Sequence, residues 1–216
     1  MSPRAVLLLP IALAAGSILL LPGCETGPSY STQLRDPGSS YYTGGGRGGY
    51  DGETPSSSAI VNQEVLDRTD PSNARIEISL GEQKARLYRV AGGSKELAIE
   101  TRISTGREGR TPVGTYSVLE KLRQKNSSLY GSWVDGQSGA LIQGDGDSRN
   151  RPAGGNAEFQ GSPMPYWLRI TRDGVGMHVG YVPNHPASHG CIRVPNRIQP
   201  LIWERVAVGT PIDIRA

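Results

Sequence analysis

Hydrophobic positions follow three different patterns along this chain. Over residues 5–21 they run almost without interruption, broken only by Pro10, Gly16 and Ser17. Over residues 25–71 Leu, Ile and Val are sparse, while Gly, Ser and Tyr dominate. From Arg75 onward apolar and polar residues alternate, the period of a half-buried strand. Residues 75–80 and 84–90, separated by Gly81 and Glu82, predict a hairpin, and Gly92-Gly93 predicts another turn. Strands are expected at 97–104, 114–122, 166–170, 176–179 and 210–214. Residues 124–164 are rich in Asn, Ser and Gly without a clear period, and loops of that length are usually functional or mobile, so a long insertion or lid is expected there. Residues 198–206 predict one late helix, with Asn196 as its cap and Pro200 in its first turn. The expected fold is mainly β, a sandwich or barrel-like domain over residues 73–216.

Composition sharpens this picture. With 29 Gly and 16 Pro in 216 residues, turns and short strands are favoured over a helical bundle. The formal charge of +3 is not concentrated in any Lys/Arg run, so a nucleic-acid partner is not expected. Residues 24–72 cannot bury enough apolar surface to offset their ordering entropy and are expected to form a flexible tether. A coil of roughly 47 residues spans on the order of 35–40 Å.

The first apolar run follows a short cationic start at Arg4 and ends at Leu21-Pro22-Gly23-Cys24. That arrangement predicts a secretory signal over residues 1–23, too short and too interrupted for a favoured transmembrane helix. Its end resembles the lipobox of bacterial lipoproteins. The resemblance implies that Cys24 is lipidated and begins the mature protein, which is then anchored to a membrane. Glu25 rather than Asp after that cysteine leans toward the outer membrane of the cell envelope.

Only two cysteines are present, and lipidation of Cys24 leaves Cys191 without an intramolecular partner in an oxidising compartment. A lone exported thiol points to reactivity or to intermolecular pairing. All three histidines lie close to it: His178, His185 and His189. A free thiol has a pKa near 8.5 and only its thiolate attacks well, so Cys191 requires a base, for which His178 at a strand end is the best candidate.

The segment Ser188-His189-Gly190-Cys191-Ile192-Arg193, with His178 upstream, resembles the signature of the L,D-transpeptidase catalytic domain of YkuD type. Ser104-Thr105-Gly106, Thr111-Pro112-Val113-Gly114, Met164-Pro165-Tyr166-Trp167 and Gly209-Thr210-Pro211-Ile212 resemble that family's other recurring stretches, in order. Two features depart from it: the spacer between His178 and Ser188 is short, and Arg193 stands where many members have Asn.

The resemblance implies a peptidoglycan enzyme needing no cofactor or metal. Cys191 attacks the carbonyl between the diamino acid and terminal D-alanine of a stem peptide, His178 moves the proton, and a thioester passes its acyl group to an amine. The family orients its base through a backbone carbonyl, here that of Val179. Gly190 permits an unusual backbone conformation, so that the amides of His189, Gly190 and Cys191 could converge on the oxyanion. His189 either holds the turn or participates directly. Ser188, Arg193, Tyr166 and Trp167 are candidates for contact with the stem peptide; Arg193 alternatively pairs internally, and the two aromatics alternatively pack in the core. His185 reads as a loop residue. The stretch 106–110 lacks the Gly-Lys-Ser/Thr of a phosphate loop and reads as a turn beside the site.

Three other readings remain open. His178, His185, His189 and Cys191 carry donors suited to a zinc tetrahedron. A non-catalytic wall-binding lipoprotein would need none of this chemistry. An L,D-carboxypeptidase would use the same residues with water as acceptor.

Overall fold

The structure, a computed structural model, describes residues 59–153, 155–183 and 185–216. The expected signal segment, Cys24 and most of the expected tether lie outside the described residues. No helix among the described residues is long and apolar enough to cross a membrane.

The first described elements are a short strand β1 (Ile60–Val61) and a helix α1 (Gln63–Asp67). They fall in the stretch assigned from sequence to the tether. Asn62 caps α1 by accepting from the Val65 amide, and Val65 and Leu66 enter the core. A second, short helix thus joins the late one expected from sequence. The polar positions around Val65 and Leu66 masked its single buried turn.

The alternation that starts at Arg75 is realised almost as read. β2 (Ala74–Ser79) and β3 (Lys84–Ala91) form the hairpin, and β4 (Ser94–Arg102) extends it. The expected strand over 114–122 is instead two strands, β5 (Gly114–Ser117) and β6 (Glu120–Leu122). Between them the chain changes sheets. The Val118 amide donates to Thr210 on one side, and the Leu119 amide to Arg169 on the other.

Residues 124–164, expected as an irregular insertion, contain an antiparallel sheet. Its strands are β7 (Asn126–Asp135), β8 (Leu141–Asp147) and β9 (Ala157–Pro163), in the order β8-β7-β9. Register shifts in both pairings explain why no clean alternation was visible. The remaining elements are β10 (Trp167–Arg169), β11 (Gly176–Val179), β12 (Ile192–Val194), α2 (Gln199–Arg205) and β13 (Pro211–Arg215). Asn196 does not cap α2. Ile198 is its N-cap without a side-chain bond, and Pro200 does sit in the first turn.

Two sheets enclose the core. One has the order β1-β4-β3-β2-β13-β5, the other β12-β11-β10-β6, and neither closes into a barrel. Ile76, Ile78, Leu87, Ile99, Ile212 and Ile214 from the first meet Leu168, Met177, Ile192 and Val194 from the second, with Ile202 of α2. The outer face of the larger sheet is laced with ion pairs such as Lys84–Glu100 at 2.6 Å and Arg75–Asp213 at 2.8 Å.

Candidate active site

The four-stranded sheet has two chemically distinct faces, and its register shows why. Leu168, Met177 and Ile192 are paired across β10, β11 and β12 and point into the core. Their neighbours in each strand must point the opposite way. His178 pairs with Arg193, and Arg169 with Gly176. Continued by one residue, the parallel register sets Cys191 beside Gly176. Cys191, His178, Arg193 and Trp167 therefore share the outer face, with the thiol and imidazole on diagonal positions of adjacent strands.

His178 is only 8% exposed. Its Nδ1 lies 2.7 Å from the Val179 carbonyl oxygen, so Nδ1 must carry the proton and donate. Nε2 is then the unprotonated nitrogen. Burial, reinforced by the Arg193 charge and opposed by the Val179 carbonyl, lowers the His178 pKa to about 4. The imidazole is thus neutral, and basic at Nε2, at ordinary pH.

The Cys191 side chain is half-buried. Burial pushes its thiol up, although the Gly176 amide and the Arg193 charge favour the thiolate. The S–H donates to the Gly174 carbonyl oxygen at 3.8 Å. No hydrogen bond between Cys191 and His178 is present among the described residues. The resting pair is a neutral thiol and a neutral imidazole.

The turn before Cys191 is built from hydrogen bonds. Ser188 donates its hydroxyl to the Cys191 carbonyl and accepts from the Gly190 amide at 3.0 Å. Gly190 has φ 148°, a conformation that favours glycine. Its carbonyl accepts from the Thr111 hydroxyl at 2.7 Å, and that hydroxyl in turn accepts from the Gly106 amide at 2.8 Å. A Cβ on Gly106 would fall 2.7 Å from the Gly190 Cα, so only glycine permits this approach. Ser104 and Arg193 exchange backbone bonds at 3.0 and 2.8 Å, and the Ser188 amide donates to Thr105. The stretch 106–110 makes a short turn alongside Ser188.

These bonds assign places to the other candidates. Ser188 is buried as a brace of the turn and faces no open groove. The Gly190 amide donates to the Ser188 hydroxyl, so, contrary to the expectation from sequence, it is not among the amides turned toward an oxyanion. His189 turns to the three-stranded sheet. Its ring stacks on Tyr130 at 4.0 Å and 9°, and its Nε2 accepts from Arg107 at 2.7 Å, with Asp145 3.6 Å away. A lone pair already engaged by a guanidinium is not a base for Cys191. Tyr166 is buried with its ring edge-on to Trp203 of α2, on the core side, whereas Trp167 borders His178 at 6.3 Å between ring centroids. His185 is exposed, and its carbonyl accepts from Ser104. The stem of Arg193 lies beside Gly180, where an added Cβ would meet it at 2.9 Å.

No group of three or more His, Cys, Asp or Glu arranged to hold a metal occurs among the described residues. His178 and His189 are committed instead to Val179 and to Arg107 and Tyr130. Sequence reasoning did not single out Thr111, Arg107, Tyr130, Asp145 or Glu120. Thr111 lay in a stretch already matched to the family, but Tyr130 and Asp145 stood in aperiodic sequence with no signal.

The sequence model of the L,D-transpeptidase catalytic domain, YkuD, matches residues 73–214, and the chain belongs to that family. No curated protein sequence matches it. Among solved structures it is similar to an L,D-transpeptidase from Mycobacterium smegmatis, with 18% identity and a TM-score of 0.46 over 67% of this chain and 59% of that one. L,D-transpeptidase 1 of Mycobacterium tuberculosis gives 20% and 0.44 over 66% and 61%. An L,D-transpeptidase from Xylanimonas cellulosilytica gives 21% and 0.45 over 68% and 62%. The match thus covers less than two thirds of each of those chains.

Proposed function

We propose that this protein is a cysteine-dependent L,D-transpeptidase acting on peptidoglycan stem peptides, anchored to the cell envelope through lipidated Cys24. The observation that carries the reading is the pairing of β11 with β12. It sets the only described thiol and a buried, Nδ1-protonated imidazole on one face of one sheet.

The chemistry follows from those two groups. Cys191 turns from the Gly174 carbonyl toward Nε2 of His178, since catalytic hydrogen bonds commonly tighten only when substrate binds. Nε2 takes the thiol proton as sulfur attacks the carbonyl before the terminal D-alanine. The amides of His189 and Cys191 stabilise the oxyanion. The tetrahedral species collapses with His178 giving its proton to the leaving amine, so that D-alanine departs and a thioester remains. An acceptor amine attacks the thioester, loses its proton to His178, and the thiol is regenerated. A neutral resting pair suits this order, because the base is unprotonated before each attack.

Incubation with purified disaccharide-tetrapeptide, read by mass, tests the reading. Cross-linked dimer with loss of D-alanine supports it. Tripeptide alone would assign the same site to an L,D-carboxypeptidase, and unchanged substrate with no adduct on Cys191 would overturn it. Replacement of Cys24 by Ser is expected to release the protein from membranes; continued retention overturns the anchor.

A further inference from the structure

On the outer face of the catalytic sheet one carboxylate is committed to an aromatic ring rather than to a substrate-facing group. Trp167 is 1% exposed, and its indole Nε1 donates to Glu120 Oε2 at 2.8 Å. Glu120 comes from β6, the strand next to β10, with Trp167 paired to Leu122 and Arg169 to Glu120. Arg169 Nε lies 3.4 Å and Lys125 Nζ 3.7 Å from the same oxygen. Burial raises the Glu120 carboxyl, but the Trp167 indole, Lys125 and Arg169 outweigh it and hold the group below its ordinary value. It is an ionised acceptor.

The far edge of the same indole reaches the reacting groups. A Cβ added to Gly176 would fall 2.5 Å from the indole Cη2 and 2.7 Å from Cζ3, so the ring lies on the bare Cα of this glycine. Gly176 is the residue beside Cys191, and its amide faces the sulfur. The His178 ring stands 6.3 Å from the indole, tilted by 39°. One rigid ring therefore spans from Glu120 at one end to the wall of the Cys191–His178 site at the other. The ring is held by packing on Gly176 and faced by Lys125 Nζ at 5.7 Å from its centroid, and its one polar atom, the Nε1–H, is fixed by Glu120.

We propose that Glu120 is a positioning residue for the His178–Cys191 pair, acting through Trp167: by accepting the indole N–H it fixes the ring that packs on Gly176 and walls the imidazole. This rests on the reading of His178 as the base for Cys191. Reach, not charge, is the property required, because the indole needs an oxygen at a set place. The charge acting on the base itself is that of Arg193 on β12, and the titratable group beside it is the Cys191 thiol.

Two substitutions separate reach from charge. Glu120→Gln keeps an oxygen at full length and loses the charge; Glu120→Asp keeps the charge and withdraws the oxygen by one methylene. The rate of Cys191 alkylation by iodoacetamide, measured across pH with wild-type and His178→Gln proteins alongside, reads the pair without requiring any peptide substrate. A slower His178→Gln reaction establishes the base, and an equal rate would overturn that reading by itself.

With the base established, Glu120→Asp is expected to slow alkylation and turnover on the order of 10- to 100-fold, with KM little changed. Glu120→Gln is expected to stay within about twofold of wild type. The Glu120→Asp effect should vanish in a Trp167→Phe background, which lacks the N–H. Loss in Glu120→Gln but not in Glu120→Asp would overturn the proposal in favour of a charge effect through Arg169 or Lys125. Wild-type rates in both, or full additivity with Trp167→Phe, would overturn it as well. Near-ultraviolet circular dichroism checks that each variant is folded.

Discussion

The four-stranded sheet and the three-stranded sheet are adjacent in sequence and touch at His189, yet they are built on opposite principles. Strands β10, β11 and β12 are three or four residues long, but one face of each is locked into the core by Leu168, Met177 and Ile192. Strands β7 and β8 are longer, with shifts in register, and carry Leu141 at 60% and Ile142 at 46% exposure. The first sheet holds the groups whose spacing matters to a reaction; the second meets the site through Tyr130 and Asp145 alone among the contacts to His189. Precision is obtained where a reactive face is backed by a packed one. The three-stranded sheet meets His189 through a ring stack and exposed charged contacts, which are weaker and more readily undone.

The largest test of this contrast is chemical. Cys191→Ala should abolish thioester formation, and His178→Ala should lower it by roughly 10³-fold, while each leaves the fold intact, as read by intact-protein mass with a tetrapeptide. Retained turnover in either variant removes that residue from the mechanism.

Stability should divide in the same way. Leu168→Ala, beneath the reactive face, is expected to cost about 2–5 kcal/mol in chemical denaturation. Leu141→Ala on the three-stranded sheet should stay within about 0.5 kcal/mol. Equal losses would mean that both sheets belong to one core.

Acid sensitivity sharpens the comparison further. His178 has its pKa lowered to about 4 in the folded state from an ordinary 6.5. The unfolded chain therefore binds a proton first as pH falls, and the stability this group contributes is present above about pH 6.5 and lost between there and pH 4. The loss should be on the order of 3 kcal/mol. Urea melts of His178→Gln across that interval are expected to be flatter than those of wild type.

The smallest effect concerns the three-stranded sheet. Tyr130→Leu removes the stack on His189 and should cost about 0.5–1.5 kcal/mol of local stability. Hydrogen exchange ought to accelerate in β7–β9 while β10–β12 keep their protection. Faster exchange throughout would show the sheets to be coupled.

How much of this was legible beforehand depends on periodicity. The hairpin of β2 and β3 was visible because Ile76, Ile78, Ala85 and Leu87 alternate with charged neighbours. The candidate thiol was visible because Cys191 is a late cysteine among clustered histidines. The insertion was not, because shifted register erases the period that would announce its strands. The 114–122 stretch looked like one strand because alternation persists while hydrogen-bond partners change at Val118.

By itself the amino-acid order determined the alternating strands, the single late thiol with its histidines, and the glycines at 106 and 190, since each is a local property of neighbouring residues. Only tertiary structure decided which imidazole shares a face with Cys191, because that follows from the pairing of β11 with β12. It also decided that His189 serves Arg107 and Tyr130, that Ser188 braces the turn, and that Glu120 meets Trp167. Those contacts join residues from separate strands, and no local pattern specifies which strand will lie beside which.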